Sequence, residues 1–319
     1  MVRVFFAGTP ECAVPSLRRV ACAHRVVGVL TNPPAAVGRS GKLVHSAVAR
    51  EFFRLKASGV LPESASLFVP GRLDRAFYDA VEALRPDVLV CFAYGRIFGP
   101  RFLALFPRGA INVHPSLLPR WRGSTPVPAA ILAGDCETGV TLQYIGEEMD
   151  AGDILAQSRV QLDGTETTGA LLSRLSLVAA DLVDDVLVGV ERHTLAPAAQ
   201  DHSQATFCGK LCREMGLADW SNPAVVLERK IRAFTPWPGL FTYKDGERIA
   251  ILQARSCESS FVPLAPVGTV LAADKNGVFV QTGDGVLSLL QLQRSGKKPL
   301  FWRDFLNGSP LLLTGRLGV

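Results

Sequence analysis

Residues 2–31 read V-R-V-F-F-A-G-T-P-E-C-A-V-P-S-L-R-R-V-A-C-A-H-R-V-V-G-V-L-T. Residues 2–7, apolar but for Arg3, read as a buried strand, and Gly8, Thr9 and Pro10 end it. Pro15 suits the first turn of a helix, where no backbone N–H is needed, and that helix reaches to about Ala23. Residues 26–31 are a second strand-sized apolar run. Strand, turn, helix, strand in so short a span is the βαβ opening of an α/β, doubly wound, mostly parallel sheet. The turn is A-G-T-P and lacks G-x-G-x-x-G, which counts against a dinucleotide-binding dehydrogenase.

The pattern continues outward from there. Leu73, Phe77, Ala80, Val81 and Leu84 share one helical face that Pro86 closes, and residues 88–92 follow as a central strand. Thr125 and Pro126 look like an N-cap followed by Pro at the first helical position, opening a helix to about Ala133. Residues 139–144 are another strand. Leu171, Leu175, Val178, Leu182 and Val186 give the helical spacing of a long segment over 167–187. Residues 191–203 are polar and Ala-rich, the composition of a linker. Past them, a short helix over 223–233 and alternating runs at 241–243, 248–254, 268–271, 278–281 and 286–293, separated by Gly-containing turns, predict a small β-barrel. The expected division is a first domain over 1–189, a linker over 190–208 and a second domain over 209–319.

Residues 110–123, A-I-N-V-H-P-S-L-L-P-R-W-R-G, place polar chemistry at the end of a buried strand and then forbid regular structure. Pro115 and Pro119 remove backbone donors, and Pro115 biases His114 toward an extended conformation. Asn112 and His114 are two apart, so on a strand an amide and an imidazole share one face. In open α/β sheets the carboxyl ends of strands are where ligands bind. A His in an apolar setting is more often a satisfied core residue than a catalyst, and residue chemistry alone leaves His114 open between the two.

Composition bounds the rest. A chain of 319 residues with 48% hydrophobic and 20% charged residues has the make-up of a globular protein with a substantial core. No apolar run approaches the roughly 18 residues of a membrane span, and the first apolar segment is cut by Thr9, Pro10 and Glu11 before a signal-peptide core develops. A cytoplasmic protein is expected. Seven irregularly spaced cysteines argue against a disulfide framework, and Cys208 with Cys212 lacks the second pair that structural zinc needs, so no metal is expected. The net charge of +5 is uneven: residues 1–208 carry 20 Lys+Arg and 20 Asp+Glu, whereas 209–319 carry 14 and 9. A basic second part is either a solvated surface or one that meets a polyanion.

The stretch N-V-H-x-S-L-L-P-R-W-R-G strongly resembles the signature of the 10-formyltetrahydrofolate-dependent formyltransferases, in particular those acting on methionyl-tRNA. The opening V-F-F-A-G-T-P-E-C-A-V-P-S-L, D-x-E-T-G-V-T from Asp135, M-D-A-G-D from Met149, A-T-F from Ala205, D-W-S from Asp219 and R-A-F-T-P-W-P-G from Arg232 fit the same family. The resemblance implies a Rossmann-like catalytic domain followed by an OB-like tRNA-binding domain. It implies transfer of a formyl group from 10-formyltetrahydrofolate, a cosubstrate, to the α-amino group of methionine on initiator methionyl-tRNA. It carries over Asn112, His114 and Asp150 as catalytic residues, Ser116, Leu117, Leu118 and Pro119 as the folate-contacting loop, and residues 93–99 as a lining of the folate pocket. It also carries over Arg39 and Lys42, in G-R-S-G-K-L, as contacts to the acceptor end of the tRNA. On that assignment Asn112 and His114 donate to the oxyanion, and Asp150 holds His114 and accepts the amine's proton. Two departures from the family stand out: Pro115 where many relatives have Gly, and P-A-A-V before Gly38 where the family often has Asp and a base. Lys297, Lys298 and Arg303, with Phe301 and Trp302, are candidates for phosphate contact and stacking. A monomer is expected. The rivals are a formyltransferase or formyltetrahydrofolate hydrolase with another acceptor, and a non-catalytic RNA-binding protein that would leave Asn112, His114 and Asp150 unexplained.

Overall fold

The computed structural model describes residues 1–37, 41–257, 265–308, 312 and 314–318. The chain divides into two compact units, the first made of Met1–Pro126, Glu137–Gln161 and Leu172–Cys208, the second of Val127–Cys136, Leu162–Leu171 and Gly209–Val319. Residues 190–208, expected as a linker, thus fall within the first unit, where Ala198 is bridged to Ile154 and Cys208 to Gly123.

The first unit is built on a seven-stranded sheet. Its strands are β1 (Arg3–Gly8), β2 (Arg25–Leu30), β3 (Ser66–Phe68), β4 (Val88–Phe92), β5 (Ala110–His114), β6 (Glu137–Tyr144) and β7 (Ile154–Gln161). Their spatial order is β7-β6-β5-β4-β1-β2-β3. Pairings from β5 through β3 are parallel, and those of β5 with β6 and β6 with β7 are antiparallel. Helices α1 (Val14–Ala23), α2 (Ala47–Ala57) and α3 (Arg75–Ala83) make crossovers between parallel strands. Burial on both faces explains the near-continuous apolar runs of β1 and β4. Phe5 and Ala7 of β1, with Leu89 and Cys91 of β4, share one face at period two and pack under Phe77 and Val81 of α3 and the aromatic trio Phe98, Phe102 and Phe106. Each fully buried Phe there contributes on the order of 2–3 kcal/mol.

Helix α2 sits within what the sequence offers as a basic stretch. Its N-cap Ser46 accepts from the Ala49 N–H at 3.0 Å, and Phe52 and Leu55 face the core. Glu51, 5% exposed, accepts from Arg18 and Arg54. Burial alone would raise that carboxyl, but the two guanidiniums overcome it and hold its pKa at about 2.

In the second unit, β8 (Leu240–Lys244), β9 (Glu247–Cys257), β10 (Val270–Asp274), β11 (Gly277–Gln281) and β12 (Val286–Arg294) form an antiparallel sheet in the order β8-β9-β12-β11-β10, with Leu300–Phe301 added against β12. Strand β9 pairs with β8 through residues 247–251 on one edge and with β12 through 249–257 on the other, and the second pairing shifts register beside Gln253, the kind of irregularity that curls a sheet toward a barrel. The helix Ala224–Ala233 covers the inner face through Leu227 and Ile231, which join Trp220, Ile249, Val278 and Leu289 in one core.

Candidate active site

The carboxyl ends of β1, β2 and β4 are tied together by side chains just beyond them. The Asn32 amide donates to Thr9 Oγ1 at 3.1 Å and to the Tyr94 carbonyl at 2.9 Å. One strand further along, β5 carries Asn112 and His114 on one face, as their spacing requires. The antiparallel register sets Gln143 of β6 directly opposite Asn112, and Thr141 opposite His114. Side chains directly opposite in such a pair lie on the same face, so two amides and an imidazole converge.

The turn after β6 returns the acid to them. Asp150 adopts a left-handed backbone with φ of 54°, a conformation that Asp tolerates better than most residues, and its side chain is 11% exposed. Oδ1 accepts from Asn112 Nδ2 at 3.3 Å and from Gln143 Nε2 at 3.1 Å. Oδ2 accepts from the Gly123 N–H at 2.9 Å. His114 Nδ1 lies 3.6 Å from Oδ1. Two of the three side chains expected at the site, Asn112 and His114, are therefore gathered around the carboxylate of the third, Asp150.

His114 is 4% exposed, and its Nε2 donates to the Trp121 carbonyl at 2.8 Å. That oxygen can only accept, so the ring proton sits on Nε2 and Nδ1 turns a lone pair toward the Asp150 side. Burial pushes the imidazole below its ordinary pKa, against the opposing pull of the Asp150 charge and of the bond to Trp121. The balance favours the uncharged ring at neutral pH.

The loop after β5 is braced by the end of the first unit. The Trp121 N–H donates to Thr206 Oγ1 at 2.9 Å, the Arg122 N–H to the Thr206 carbonyl at 2.8 Å, and residues 122–123 pair in parallel with 207–208. Gly123 has φ of 113°, and a side chain there would collide with the Cys208 carbonyl, so only Gly brings this N–H to the carboxylate. Within the loop, Ser116 is fully buried and donates to the Arg120 carbonyl at 2.6 Å, while Leu118 is 3% exposed and its N–H donates to Thr141 Oγ1 at 3.1 Å. Leu117 and Pro119 are the partly exposed members. In the 93–99 segment Tyr94 is buried and stacks on Phe98 at 5.4 Å, and Ile97 is 84% exposed.

Arg39 lies outside the described residues, and Lys42 is exposed at the start of a short strand, Lys42–Val44, paired with Ala35–Val37. The other cations of that basic stretch are paired: Arg50 with Glu11, Arg54 with Glu51 and Lys56 with Glu63. In the second unit Lys297, Lys298 and Arg303 are exposed, as is Phe301, whereas Trp302 packs partly against the core. Among the described residues, no group of three or more His, Cys, Asp or Glu is gathered as a metal would need, and no helix is long and apolar enough to cross a membrane.

The sequence alone does not single out Gln143, the Gly123 amide, Arg122, Gln200 or Thr206. Gln143 shares a strand face with Thr141, a spacing that is visible, but its aim at Asp150 depends on a strand register that is not.

The family model described as formyl transferase matches residues 2–187, and the one described as formyl transferase, C-terminal domain, matches residues 210–310. The chain belongs to the formyl transferase family. Within it, the chain is 48% identical over 318 residues to a methionyl-tRNA formyltransferase of Treponema denticola, aligning 98% of this chain with 99% of that one. It is 40% identical over 319 residues to a methionyl-tRNA formyltransferase of Roseiflexus sp. strain RS-1, covering 99% and 95% of the two chains. Among solved structures, HypX from Aquifex aeolicus in complex with tetrahydrofolic acid aligns with a TM-score of 0.60 at 19% identity over 99% of this chain. The chain spans about half of HypX, 48% of its length, and at that identity the likeness carries the fold alone.

Proposed function

We propose that the protein transfers the formyl group of 10-formyltetrahydrofolate to the α-amino group of methionine on initiator methionyl-tRNA. The observation that carries this reading is the gathering of Asn112, His114 and Asp150 at the carboxyl end of β5, in a chain 48% identical to a methionyl-tRNA formyltransferase from end to end. Acting on charged tRNA, it works where translation is initiated, in the cytoplasm.

An α-amino group with a pKa of about 7.7 is partly unprotonated at neutral pH, and it is this free amine that attacks. Neutral His114, with its proton held on Nε2 by Trp121, offers the Nδ1 lone pair, and the Asp150 carboxylate 3.6 Å away stabilises the imidazolium that results. His114 and Asp150 therefore act together as the proton acceptor. As the new N–C bond forms, the carbonyl π pair moves onto oxygen and the attacking nitrogen, now positively charged, passes one proton to His114 Nδ1. Asn112, which spends one N–H on Asp150, has a second for that oxyanion, and the newly protonated Nδ1 supplies another donor. When the C–N10 bond breaks, the departing nitrogen takes the Nδ1 proton and His114 returns to its neutral form.

The folate is assigned to the surface offered by Leu117, Pro119 and the backbone of their loop, with Ser116 and Leu118 shaping it from beneath. Arg39 and Lys42 are assigned to the tRNA backbone, the role favoured for Lys42 by the pairing of its cationic neighbours. The direct test is incubation with 10-formyltetrahydrofolate and methionyl initiator tRNA, followed by mass measurement of the released amino acid. Formylmethionine is expected, and unmodified methionine with free formate would reassign the protein to hydrolysis.

A further inference from the structure

Behind the Asp150 carboxylate runs a buried polar chain that begins at a guanidinium. Arg122, 4% exposed, donates from Nε and Nη2 to Gln200 Oε1 at 3.1 and 2.6 Å. Gln200, 5% exposed, turns its Nε2 to three acceptors: Gln143 Oε1 at 3.0 Å, the Asp150 carbonyl at 3.0 Å and the Gly152 carbonyl at 2.7 Å. Gln143, 1% exposed, then donates from Nε2 to Asp150 Oδ1.

The sense of this chain is forced from its first member. A guanidinium only donates, so it fixes Gln200 Oε1 as acceptor and Nε2 as donor. Gln200 Nε2 in turn fixes Gln143 Oε1 as acceptor, leaving the Gln143 amide to present N–H, and never oxygen, to the carboxylate. Charge at the head of the chain polarises each amide after it and strengthens its donors. The same Gln200 amide holds the carbonyls of Asp150 and Gly152, the backbone of the left-handed turn that aims the acid. Without it, the Gln143 amide is held only through its bond to the carboxylate, and the turn loses its buried anchor.

We propose that Gln200 is a positioning residue for Asp150, acting through the Gln143 amide and the Asp150–Gly152 backbone, an inference that rests on Asp150 taking part in the reaction. Arg122 sets its orientation. The stretch 198–208, polar enough to read as a connector, is on this view part of the catalytic apparatus.

Two variants separate the donor role from a merely structural one. Gln200→Leu removes every hydrogen bond. Gln200→Glu keeps an oxygen, and a charge, for Arg122 but has no N–H for Gln143, Asp150 or Gly152. Both are measured in the full-length protein for kcat and for KM toward each substrate, alone and combined with Asp150→Asn. The expected result is a fall in kcat of at least about tenfold in both variants, with KM within about twofold, the mark of a reacting group held off its geometry. Added to Asp150→Asn, either change should cost less than about twofold more, because the group being positioned is already gone. Near-normal kcat in Gln200→Glu, or a loss that multiplies fully with that of Asp150→Asn, would overturn the proposal and leave Gln200 as a structural residue. Near-normal turnover by Asp150→Asn alone would instead remove the reading of Asp150, and the proposal with it.

Discussion

Replacing Asp150 by Asn is the most informative perturbation, because it keeps the size of the side chain and removes the charge. The carboxylate stands 3.6 Å from His114 Nδ1, where the proton of the incoming amine is proposed to arrive. At an effective dielectric constant of about 20, a unit pair at that distance is worth about 4–5 kcal/mol. A charge of that value, absent when the imidazolium forms, corresponds to a fall in kcat on the order of 10³-fold. A second cost is one of hydrogen-bond polarity: the present carboxylate receives N–H groups from Asn112, Gln143 and Gly123, and an amide must turn its own NH₂ toward at least one of them. That mismatch lowers stability by about 1–3 kcal/mol, which a thermal melt reads separately from rate. The assay is single-turnover formylation of methionyl initiator tRNA, with folate and tRNA affinity measured in parallel. Affinities near those of the parent with kcat reduced about a thousandfold are the expected outcome. A variant that folds and turns over within about tenfold of the parent would refute the assignment of the imidazolium's counter-charge to Asp150.

Two further perturbations probe other parts of the molecule. Glu51 has its pKa held at about 2, below the ordinary 4.5, so its pairing with Arg18 and Arg54 contributes stability above about pH 4.5 that is lost as pH falls toward 2; Glu51→Gln should lower Tm at pH 7, and the gap to the parent should close over that acid window. Arg39→Ala with Lys42→Ala should weaken tRNA binding and flatten the plot of log K against log salt by about 0.7–0.9 for each phosphate no longer neutralised, measured by filter binding from low to moderate ionic strength; an unchanged slope would return both residues to the solvated surface.

Residues 2–31, 88–92 and 110–114 announce the parallel core because strands buried on both faces are written as apolar runs, and a run needs no partner to be recognised. Helix α2 has signals of the same kind, with Ser46 as cap and Val48, Phe52 and Leu55 at helical spacing, but its charges point toward a nucleic-acid face; the structure spends most of them on Glu11, Glu51 and Glu63. Strand β7 is hidden for the opposite reason: along I-L-A-Q-S-R-V-Q only Val160 is buried, so an edge strand carries little apolar signal. The site divides along the same line. Asn112 and His114 are neighbours on one strand, so their shared face follows from period two alone, and no fold is needed to see it. Gln143 reaches the carboxylate only because β6 pairs with β5 in one register, and a slip of a single residue would turn it to the opposite face. Gln200 is further still from legibility, since a Gln between Ala and Asp reads as solvated until its partner is found 78 residues upstream at Arg122. A polar side chain is written the same way whether water or a guanidinium satisfies it, and burial is decided by that distant partner. Of the groups proposed to carry out the chemistry, Asn112 and His114 are therefore local in the chain and Asp150 lies 38 residues from Asn112, while a second group, Gln143 and Gln200, aims them from elsewhere. Perturbing the second group should change geometry, and with it kcat, before it changes what the protein binds.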